Sequence, residues 1–511
     1  MKNNLYQLLE STAAKFPDKV ALIDDKKRVT FSEWLAMSQG IGSVIAKSFS
    51  GVKNMPVLVF VDRSIDGLIG FMGVVSCGNF YVPIDSKMPA SRVKLIIDTL
   101  NPIAAISVTA KDAKTLEEAE FKGMRIDFAE AVATEADSKL LDFAREEIID
   151  LDPVYSIFTS GSTGVPKGAV ISHRGALDLA DWLVETFGFD ESDTLGNQTP
   201  FYFDGSVKDI MICLKTGATI RVIGKKYFTF PKLLMDLLNA EEVTSLLWAT
   251  SAIVLIGNSD ILDMQRPKHV KRVFFAGEAM PAKQLRKWQV ALPDAQFVNL
   301  YGPTEITVDC TYYVVPGILP DDSYVPIGIP CNNKGIVVLN EDDCAVTPGE
   351  IGELCVRGSG VGLGYFGNWE KTDEVFVQNP LNPYYRDIIY RTGDLVKYAD
   401  DGNLLFVSRK DFQVKHNGNR IELGEIEVAV NALPTVANAC CVFDAENDKI
   451  ILFYDTLDNA DVDVINSVKN RIPKYMFPNE VYRLEHLPHN LNDKIDRTVL
   501  KKLYETEYRN S

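Results

Sequence analysis

The sequence predicts an α/β fold with a large N-terminal part and a smaller C-terminal part. Short apolar runs that indicate buried strands, such as residues 57–61 and 272–275, alternate with helical patterns such as residues 176–187. At 511 residues the chain is long enough for about two to four domains. Its apolar share of 46% and charged share of 24% are typical of a globular protein.

The overall charge and the cysteine pattern exclude several classes of protein. A net charge of −17 argues against a nucleic-acid partner and against an anionic membrane surface. The eight cysteines are scattered without a C-x-x-C pair, which argues against a disulfide framework and structural zinc. The most apolar stretch, residues 67–75, is far too short to span a bilayer, and the N-terminus lacks a signal peptide. We therefore expect a cytoplasmic protein without membrane insertion.

A loop rich in glycine and hydroxyl groups follows the strand-like run of residues 154–158. Glycines let the backbone approach an anion, while hydroxyls, N–H groups and Lys167 donate to it, so the loop is suited to phosphate. It is not a Walker A loop, because Pro166 precedes the lysine and Gly168 follows it. A flexible surface turn is the alternative interpretation.

Further motifs follow this loop in an order that is informative as a whole. They occupy residues 81–85, 158–168, 299–305, 352–354, 362–365, 390–395, 409–427 and 492–497. In this order the motifs resemble those of the adenylate-forming superfamily, which includes amino-acid adenylation domains, acyl-CoA synthetases and luciferases. The resemblance covers nearly the whole chain.

The resemblance implies two domains with a mobile connection. An N-terminal adenylation core of layered α/β subdomains would span residues 1–410, and a small α+β lid would span residues 411–511, rotating at Asp411. The sequence itself changes in the same region. A turn at residues 398–403 and a strand at 404–407 precede a charged segment, residues 408–420. A lid of this kind can order two successive reactions.

Activating a carboxylate with ATP brings two anions together, so the site needs positive charge, a metal and well-placed donors. The expected phosphate donors are Thr159, Ser160, Gly161, Ser162, Thr163, Lys167 and Thr304. Glu305 is the expected Mg²⁺ ligand, with a solvated surface acid as the alternative. Lys494 is expected to bridge the substrate carboxylate and the α-phosphate, and a surface lysine is its alternative. Asp493 stands where the family usually has glycine.

The resemblance also assigns the nucleoside contacts. Asn299 would bind the adenine amino group, and Tyr301 would stack on the ring. Asp394 would accept hydrogen bonds from the ribose hydroxyls, and Arg409 would contact ribose or phosphate. Leu300, Gly302 and Pro303 complete the adenine motif. His173, which follows the phosphate loop, is interpreted as structural, because the nucleophilic carboxylate is already ionised at neutral pH.

The substrate is predicted to be an amino acid. Asp204 stands where amino-acid-activating members pair with the α-amino group, although a helix N-cap is the alternative. No serine motif for phosphopantetheine follows Lys494, so the expected acceptor is the thiol of a separate carrier protein. The architecture resembles the D-alanine:D-alanyl carrier protein ligases, except that Ala276 replaces their usual cysteine. An acyl-CoA or aryl-CoA ligase and a catalytically silent paralogue remain the alternatives.

The family's pocket positions map onto a mainly apolar set that contains two charges. The expected lining is Asp204, Gly205, Lys208, Leu247, Phe274, Ala276, Leu300, Val308 and Asp309. Either Lys208 and Asp309 neutralise one another, or one of them reaches the substrate side chain. Both interpretations favour a small or polar amino acid. Alternatively, Lys208 extends to solvent and leaves a plain apolar pocket.

Overall fold

The computed structural model describes residues 4–159, 166–320, 323–410, 413–416, 419–457, 462–469, 472, 476–490 and 494–509. Three expected donors and one glycine of the phosphate loop (Ser160, Gly161, Ser162 and Thr163), together with Asp411 and Asp493, lie outside these residues. The fold class is confirmed, since a mixed α/β N-terminal domain precedes a small C-terminal one.

The N-terminal third alternates strands and helices, as its short apolar runs predict. Strand β3 is buried at every position, which is typical of a parallel strand covered on both faces. Helix α2 begins with a reciprocal capping box between Thr30 and Glu33. The elements are α1 (Leu5–Lys15), β1 (Val20–Ile23), β2 (Arg28–Thr30), α2 (Phe31–Ser48), β3 (Pro56–Val61), α3 (Asp66–Ser76), β4 (Phe80–Asp85), α4 (Ala90–Leu100), β5 (Ala104–Ser107), α5 (Ala110–Glu118), β6 (Met124–Asp127), α6 (Phe128–Val132), α7 (Ser138–Arg145), β7 (Pro153–Thr159), β8 (Lys167–Ser172) and α8 (His173–Phe187).

The middle third continues the same alternation. Helix α8 ends at Phe187, and Gly188 caps it with a left-handed backbone that leads into this region. The elements are β9 (Thr194–Asn197), α9 (Val207–Thr216), β10 (Thr219–Val222), α10 (Lys225–Thr229), α11 (Pro231–Ala240), β11 (Ser245–Ala249), α12 (Thr250–Gly257), α13 (Ile261–Met264), β12 (Arg272–Ala276), α14 (Ala282–Ala291), β13 (Gln296–Tyr301), β14 (Thr311–Val314) and β15 (Ile329–Pro330).

The last third is richer in antiparallel strands. The elements are β16 (Lys334–Leu339), β17 (Gly352–Gly358), β18 (Gly364–Tyr365), α15 (Trp369–Val375), β19 (Phe376–Gln378), β20 (Ile388–Tyr398), β21 (Leu404–Arg409), β22 (Gln413–His416), β23 (Asn419–Glu422), α16 (Leu423–Asn431), β24 (Val436–Asp444), β25 (Lys449–Thr456), α17 (Val464–Val468), β26 (Glu480–Arg483) and α18 (Arg497–Leu503). The strands predicted at residues 57–61, 272–275 and 404–407 and the helix predicted at 176–187 are all present.

Two large sheets and one smaller sheet build the N-terminal domain. The first sheet has the order β18-β8-β7-β4-β3-β5-β6, and the second has the order β15-β14-β13-β12-β11-β9-β10-β1-β2. Helices α8 and α9 contribute to one apolar core that also includes residues of both large sheets. The third sheet is antiparallel, with β16, β17, β20 and β19 in order and β21 paired with β20.

Register in the second sheet determines where the site forms. Strands β11, β12 and β13 run parallel, and Ala276 at the end of β12 pairs with Leu300 of β13. Their carboxyl ends therefore meet at one edge, where ligands bind in open α/β sheets.

The C-terminal domain has its own core between a three-stranded sheet (β24, β25 and β26) and helices α16 and α17. It contacts the N-terminal domain through Lys283, whose ammonium donates to the carbonyl oxygens of Leu433 at 3.3 Å and Pro434 at 2.6 Å. No helix within the described ranges is both long and apolar enough to cross a membrane.

Candidate active site

The phosphate end of the site is built on the antiparallel pair β7 and β8. Thr159 closes β7 opposite Lys167, which opens β8, so the antiparallel pairing brings these two predicted residues side by side. The Lys167 ammonium lies 5.6 Å from the centroid of the Tyr365 ring. The Tyr365 hydroxyl donates to Glu305 Oε1 at 2.7 Å. One tyrosine therefore links the predicted phosphate lysine to the predicted metal carboxylate.

Glu305 lies in a single 3₁₀ turn, Thr304–Ile306, that follows β13. It is only 8% exposed, so it is not the solvated surface acid of the alternative interpretation. Burial raises the pKa of its carboxyl, and the nearby charge of Asp204 acts in the same direction. A bound cation stabilises the charged form of a buried carboxylate whose pKa is raised in this way. One carboxylate combined with ATP phosphates is a common way to hold Mg²⁺, so the residues present fit that ion.

The adenine and ribose end joins β13 to the third sheet. Asn299 donates its amide to the Pro326 carbonyl at 2.8 Å, which orients its amide oxygen as the remaining acceptor. Asp394 pairs in register with Arg409, whose guanidinium donates to Asp394 Oδ1 at 2.6 Å. The Tyr301 hydroxyl donates to Asp394 Oδ2.

Both oxygens of Asp394 are thus engaged by protein groups. Burial raises the pKa of this carboxyl, and Arg409 opposes that shift. A carboxylate offers about four lone-pair sites, so two remain for ribose hydroxyls. Sequence reasoning expected Tyr301 to act through its ring. The structure gives its hydroxyl a second role, which is to orient the predicted ribose carboxylate.

Lys494 reaches this site from the C-terminal domain. A Cβ built on Gly277 would lie 3.8 Å from Lys494 Cε and 4.0 Å from its ammonium nitrogen. Gly277 directly follows Ala276, so the lysine stands at the carboxyl end of β12. Its charge also helps to lower the pKa of Asp394 against the dominant effect of burial. The predicted catalytic lysine and the predicted ribose carboxylate are therefore in the same site.

Asp204 contacts the 3₁₀ turn that carries Glu305. Its Oδ2 accepts a hydrogen bond from Thr304 Oγ1 at 2.6 Å. The interpretation as a helix N-cap is wrong, because α9 begins at Val207 after Ser206 and has no side-chain cap. The carboxylate is half-buried and is free to accept further donors through its remaining lone pairs.

Lys208 and Asp309 form a buried ion pair. Their charged atoms are 3.5 Å apart, and their side chains are 4% and 1% exposed. Lys208 therefore does not extend to solvent, and that alternative is wrong. Burial raises the pKa of Asp309, while the charges of Lys208 and Lys334 oppose the shift. Asp309 Oδ2 has no other polar partner among the described residues, so the pair is incompletely satisfied.

The remaining pocket positions are apolar and lie together. Leu247 pairs with Phe274 across β11 and β12, and Ala276 pairs with Leu300 across β12 and β13. Leu247, Phe274, Leu300 and Val308 belong to the large core cluster, and Ala276 packs against it. The structure thus brings the two charges to an otherwise apolar wall.

His173 is structural, as expected. It is 3% exposed, and its Nδ1 accepts a hydrogen bond from the Leu5 N–H at 3.2 Å. Burial lowers the pKa of its imidazole to about 4, so the ring is neutral at pH 7. This histidine fastens the first turn of α1 to the first turn of α8.

Sequence reasoning missed the roles of Tyr365 and Lys334. Tyr365 belongs to a recognised motif, but nothing in that motif predicts a hydrogen bond to a residue 60 positions earlier. Lys334 opens the apolar strand β16, and a lysine at the start of such a strand is usually a solvated end residue. The only signal was a charge beside a continuous apolar run.

Comparisons with known proteins identify the family. The family model for AMP-binding enzyme matches residues 9–366, and that for AMP-binding enzyme C-terminal domain matches residues 425–494. The chain is 32% identical to the D-alanine--D-alanyl carrier protein ligase of Staphylococcus aureus, over 97% of this chain and 98% of that protein. It is 31% identical to zwittermicin A synthase ZmaJ of Bacillus cereus, over 99% and 96%.

A solved structure shows the same fold with a nucleotide present. It is a four-domain nonribosomal peptide synthetase, holo-AB3403, bound to AMP and glycine. It superposes with a TM-score of 0.83 at 26% identity, over 97% of this chain and 36% of that one. Adenylate-forming enzymes of this kind use ATP. The chain belongs to the AMP-binding enzyme family and is an adenylating ligase.

Proposed function

We propose that this enzyme activates an amino acid with ATP and then transfers it to a carrier protein. The first step forms aminoacyl-AMP and releases pyrophosphate. The second step moves the aminoacyl group to the phosphopantetheine thiol of a separate carrier protein. The nearly full-length similarity to a D-alanyl carrier protein ligase supports both steps. The similar solved structure of a nonribosomal peptide synthetase bound to AMP and glycine supports the amino-acid class.

One observation carries the choice of an amino acid. The Asp204 carboxylate is hydrogen-bonded to Thr304, which lies in the same turn as Glu305. An ammonium group held by Asp204 therefore lies next to the phosphate and metal groups. A fatty or aryl acid offers no cation to this carboxylate, and its desolvation would then be uncompensated.

The first step needs charge stabilisation more than proton transfer. A substrate carboxylate oxygen attacks the α-phosphorus, and the bond to the bridging oxygen of pyrophosphate breaks. Negative charge builds up around the α-phosphate, where the Lys494 ammonium stabilises it. Lys167 and the hydroxyls at and beyond Thr159 hold the other phosphates. Glu305 would hold Mg²⁺, which neutralises phosphate charge when bound.

The second step uses a different nucleophile. The carrier thiol attacks the acyl carbon, the bond to AMP breaks, and the thiol proton is lost to solvent. We propose that the lid, residues 411–511, turns at Asp411 between the two steps. This boundary lies between the two family matches, which end at residue 366 and begin at residue 425. The proximity of Lys494 to Gly277 supports a lid orientation that suits the first step.

We also propose a small or polar amino acid as the substrate. The Lys208–Asp309 pair supports this choice, because an apolar side chain would leave both charges without further compensation. A cytoplasmic location suits the proposal, since the eight cysteines are free and seven of them are buried.

Pyrophosphate exchange into ATP tests the proposal directly. The panel contains L- and D-forms of amino acids together with fatty and aryl acids. We expect Mg²⁺-dependent exchange with a small or polar amino acid. Strongest exchange with phenylalanine, leucine or tryptophan would contradict the predicted pocket. Exchange with fatty or aryl acids and turnover with CoA would favour an acyl-CoA ligase, and ATP binding without any exchange would indicate a silent paralogue.

A further inference from the structure

Two consecutive residues beside the predicted metal carboxylate have an unusual backbone. Thr307 has φ of 60° and Val308 has φ of 71°, both in the left-handed region. Residues branched at Cβ are disfavoured there, and such conformations persist only where surrounding groups hold them. Val308 lines the proposed pocket, and the next residue is Asp309. The backbone that connects Glu305 to the pocket wall is therefore held against its own preference.

A buried lysine holds this segment. The Lys334 ammonium donates to the carbonyl oxygens of Ile306 and Thr307, each at 3.3 Å, and to that of Asp309. Lys334 is 5% exposed. Three carbonyl oxygens from four consecutive residues thus converge on one ammonium group, which has three donors to offer. The lysine satisfies the polar groups that the left-handed backbone turns inward.

Gly360 allows the lysine to reach this position. A Cβ on Gly360 would lie 2.4 Å from Lys334 Cε and 2.8 Å from the Ile306 carbonyl oxygen. The Gly360 carbonyl also accepts a hydrogen bond from Thr307 Oγ1 at 2.7 Å. The lysine side chain therefore passes between the third sheet and the pocket wall in a space that only glycine leaves open.

Lys334 also acts on the charge of the pocket. Burial raises the pKa of Asp309, and the charges of Lys334 and Lys208 both oppose that rise. Lys208 lies on α9 and faces the carboxylate, while Lys334 approaches the same residue through its main-chain carbonyl. Loss of Lys334 would leave the carboxylate with one cation and its backbone with an unsatisfied carbonyl.

We propose that Lys334 is a positioning residue for amino-acid selection. It fixes Val308 and Asp309 relative to Glu305 without touching the substrate. The inference rests on the proposed function, because it assigns a purpose to the wall of that pocket. A role confined to holding β16 in its sheet is the competing explanation, and it predicts a loss of stability without a change in selectivity.

The test compares Lys334→Met with the wild-type full-length chain in pyrophosphate exchange. Methionine keeps most of the length of the side chain but removes the charge and all three donors. We expect the KM for the amino acid to rise about tenfold and side-chain selectivity to fall, because a buried network loses its central donor. The KM for ATP should stay within about twofold, since Asn299 and Asp394 are untouched.

Two further variants keep the outcome decisive. Lys397→Met removes a half-buried lysine from β20 of the same sheet and should change neither KM. Lys334→Gln retains two N–H donors for the carbonyls and should recover part of the lost affinity for the amino acid. It also carries the test if the methionine variant does not fold. Equal changes in both KM values, or unchanged selectivity in either Lys334 variant, would overturn the inference.

A failure of the inference can be distinguished from a failure of the proposed function. If the wild-type enzyme exchanges pyrophosphate with no amino acid, the proposed function is wrong and Lys334 has no selectivity to control. If the wild type is active and selective while Lys334→Met keeps the same selectivity, only the role of Lys334 is wrong.

Discussion

The proposed nucleotide half and the proposed amino-acid half of the site handle charge in different ways. In the nucleotide half, Asp394 is already paired with Arg409, whose side chain is 40% exposed. In the amino-acid half, Lys208 and Asp309 are 4% and 1% exposed and 3.5 Å apart. The first pair includes a guanidinium that water reaches beside a buried carboxylate, whereas both side chains of the second pair are held away from water.

This difference follows from what each half must recognise. ATP is the same in every reaction, so an ion pair with one hydrated partner on fixed strands can bind it at little cost to stability. A side-chain pocket must discriminate between similar small molecules, and desolvated charges discriminate strongly because a wrong ligand leaves them unpaired. The half that selects the amino acid therefore contains the ion pair whose burial costs more free energy. Lys494 connects the halves, since it lies near both Gly277 and Asp394.

The largest effect is expected where the two halves meet. Lys494→Ala should lower the rate of adenylation by about 100- to 1,000-fold, because it removes a charge that acts mainly in the transition state. ATP binding, measured by calorimetry, should change little. Lys501→Ala on the exposed face of α18 is the control and should retain activity. Wild-type exchange in Lys494→Ala would mean that this lysine is not catalytic.

Asp204→Asn should be the strongest change confined to the amino-acid half. We expect the KM for the amino acid to rise roughly 30- to 100-fold, because a charge pair with the substrate ammonium is replaced by a neutral contact. The KM for ATP should remain near its original value. Asp181→Asn on α8, where the side chain is 50% exposed and pairs with Lys215, serves as the control. If the two KM values rise together, Asp204 supports the fold of the site rather than recognition of the substrate.

The two halves also differ in how far the sequence predicted them. The nucleotide half consists of contiguous motifs, so Asn299, Glu305 and Asp394 were found by their neighbours in the chain. The fold class followed from apolar runs whose length and spacing indicate buried strands. The contacts between motifs could not be predicted, because they depend on the register in which the strands pair. The hydrogen bond from Tyr301 to Asp394 joins residues 93 positions apart.

The amino-acid half was predicted as a set of positions but not as an arrangement. The sequence left open whether Lys208 and Asp309 meet or whether one of them reaches the substrate, since both depend on how α9 faces the segment after β13. Lys334 was missed entirely, because its function lies in three backbone carbonyls and not in any side-chain pattern. A lysine that bonds to main-chain carbonyls gives no recognisable sequence motif, because every residue has a carbonyl.

The proposed movement of the lid separates the two steps. Asp411→Pro restricts a backbone torsion where the lid must turn, so it should slow one half-reaction at least about tenfold more than the other. We expect thioester formation to be the slower one. Pyrophosphate exchange and transfer to the carrier thiol measure the two steps separately. Asp411→Ala keeps the torsion free and should affect both steps little. Equal losses in the proline variant would argue against alternation.

Asp309→Asn tests whether the buried pair sets selectivity. The substitution keeps the shape of the side chain but leaves Lys208 as an unpaired buried cation. Relative exchange should shift by about tenfold toward amino acids with an acidic side chain, which can replace the lost partner. Lys208→Met should shift preference in the opposite direction. A substrate panel that is unchanged in both variants would show that the pair serves stability alone.

The smallest effect on catalysis is expected at His173. Burial lowers the pKa of His173 to about 4, compared with about 6.5 in the unfolded chain. The unfolded chain therefore binds the proton more tightly, and stability that is present above pH 6.5 is lost as the pH falls toward 4. The difference corresponds to roughly 3 kcal/mol of unfolding free energy.

His173→Gln keeps an acceptor for the Leu5 N–H and does not titrate. Its exchange activity at pH 7 should stay within about twofold of wild type, and denaturant unfolding should show a flatter decline between pH 6.5 and 4. His269→Gln, at an exposed position, controls for the loss of a histidine and should keep wild-type exchange activity at pH 7. Parallel stability curves for His173→Gln and wild type would show that acid sensitivity in this range arises from other groups.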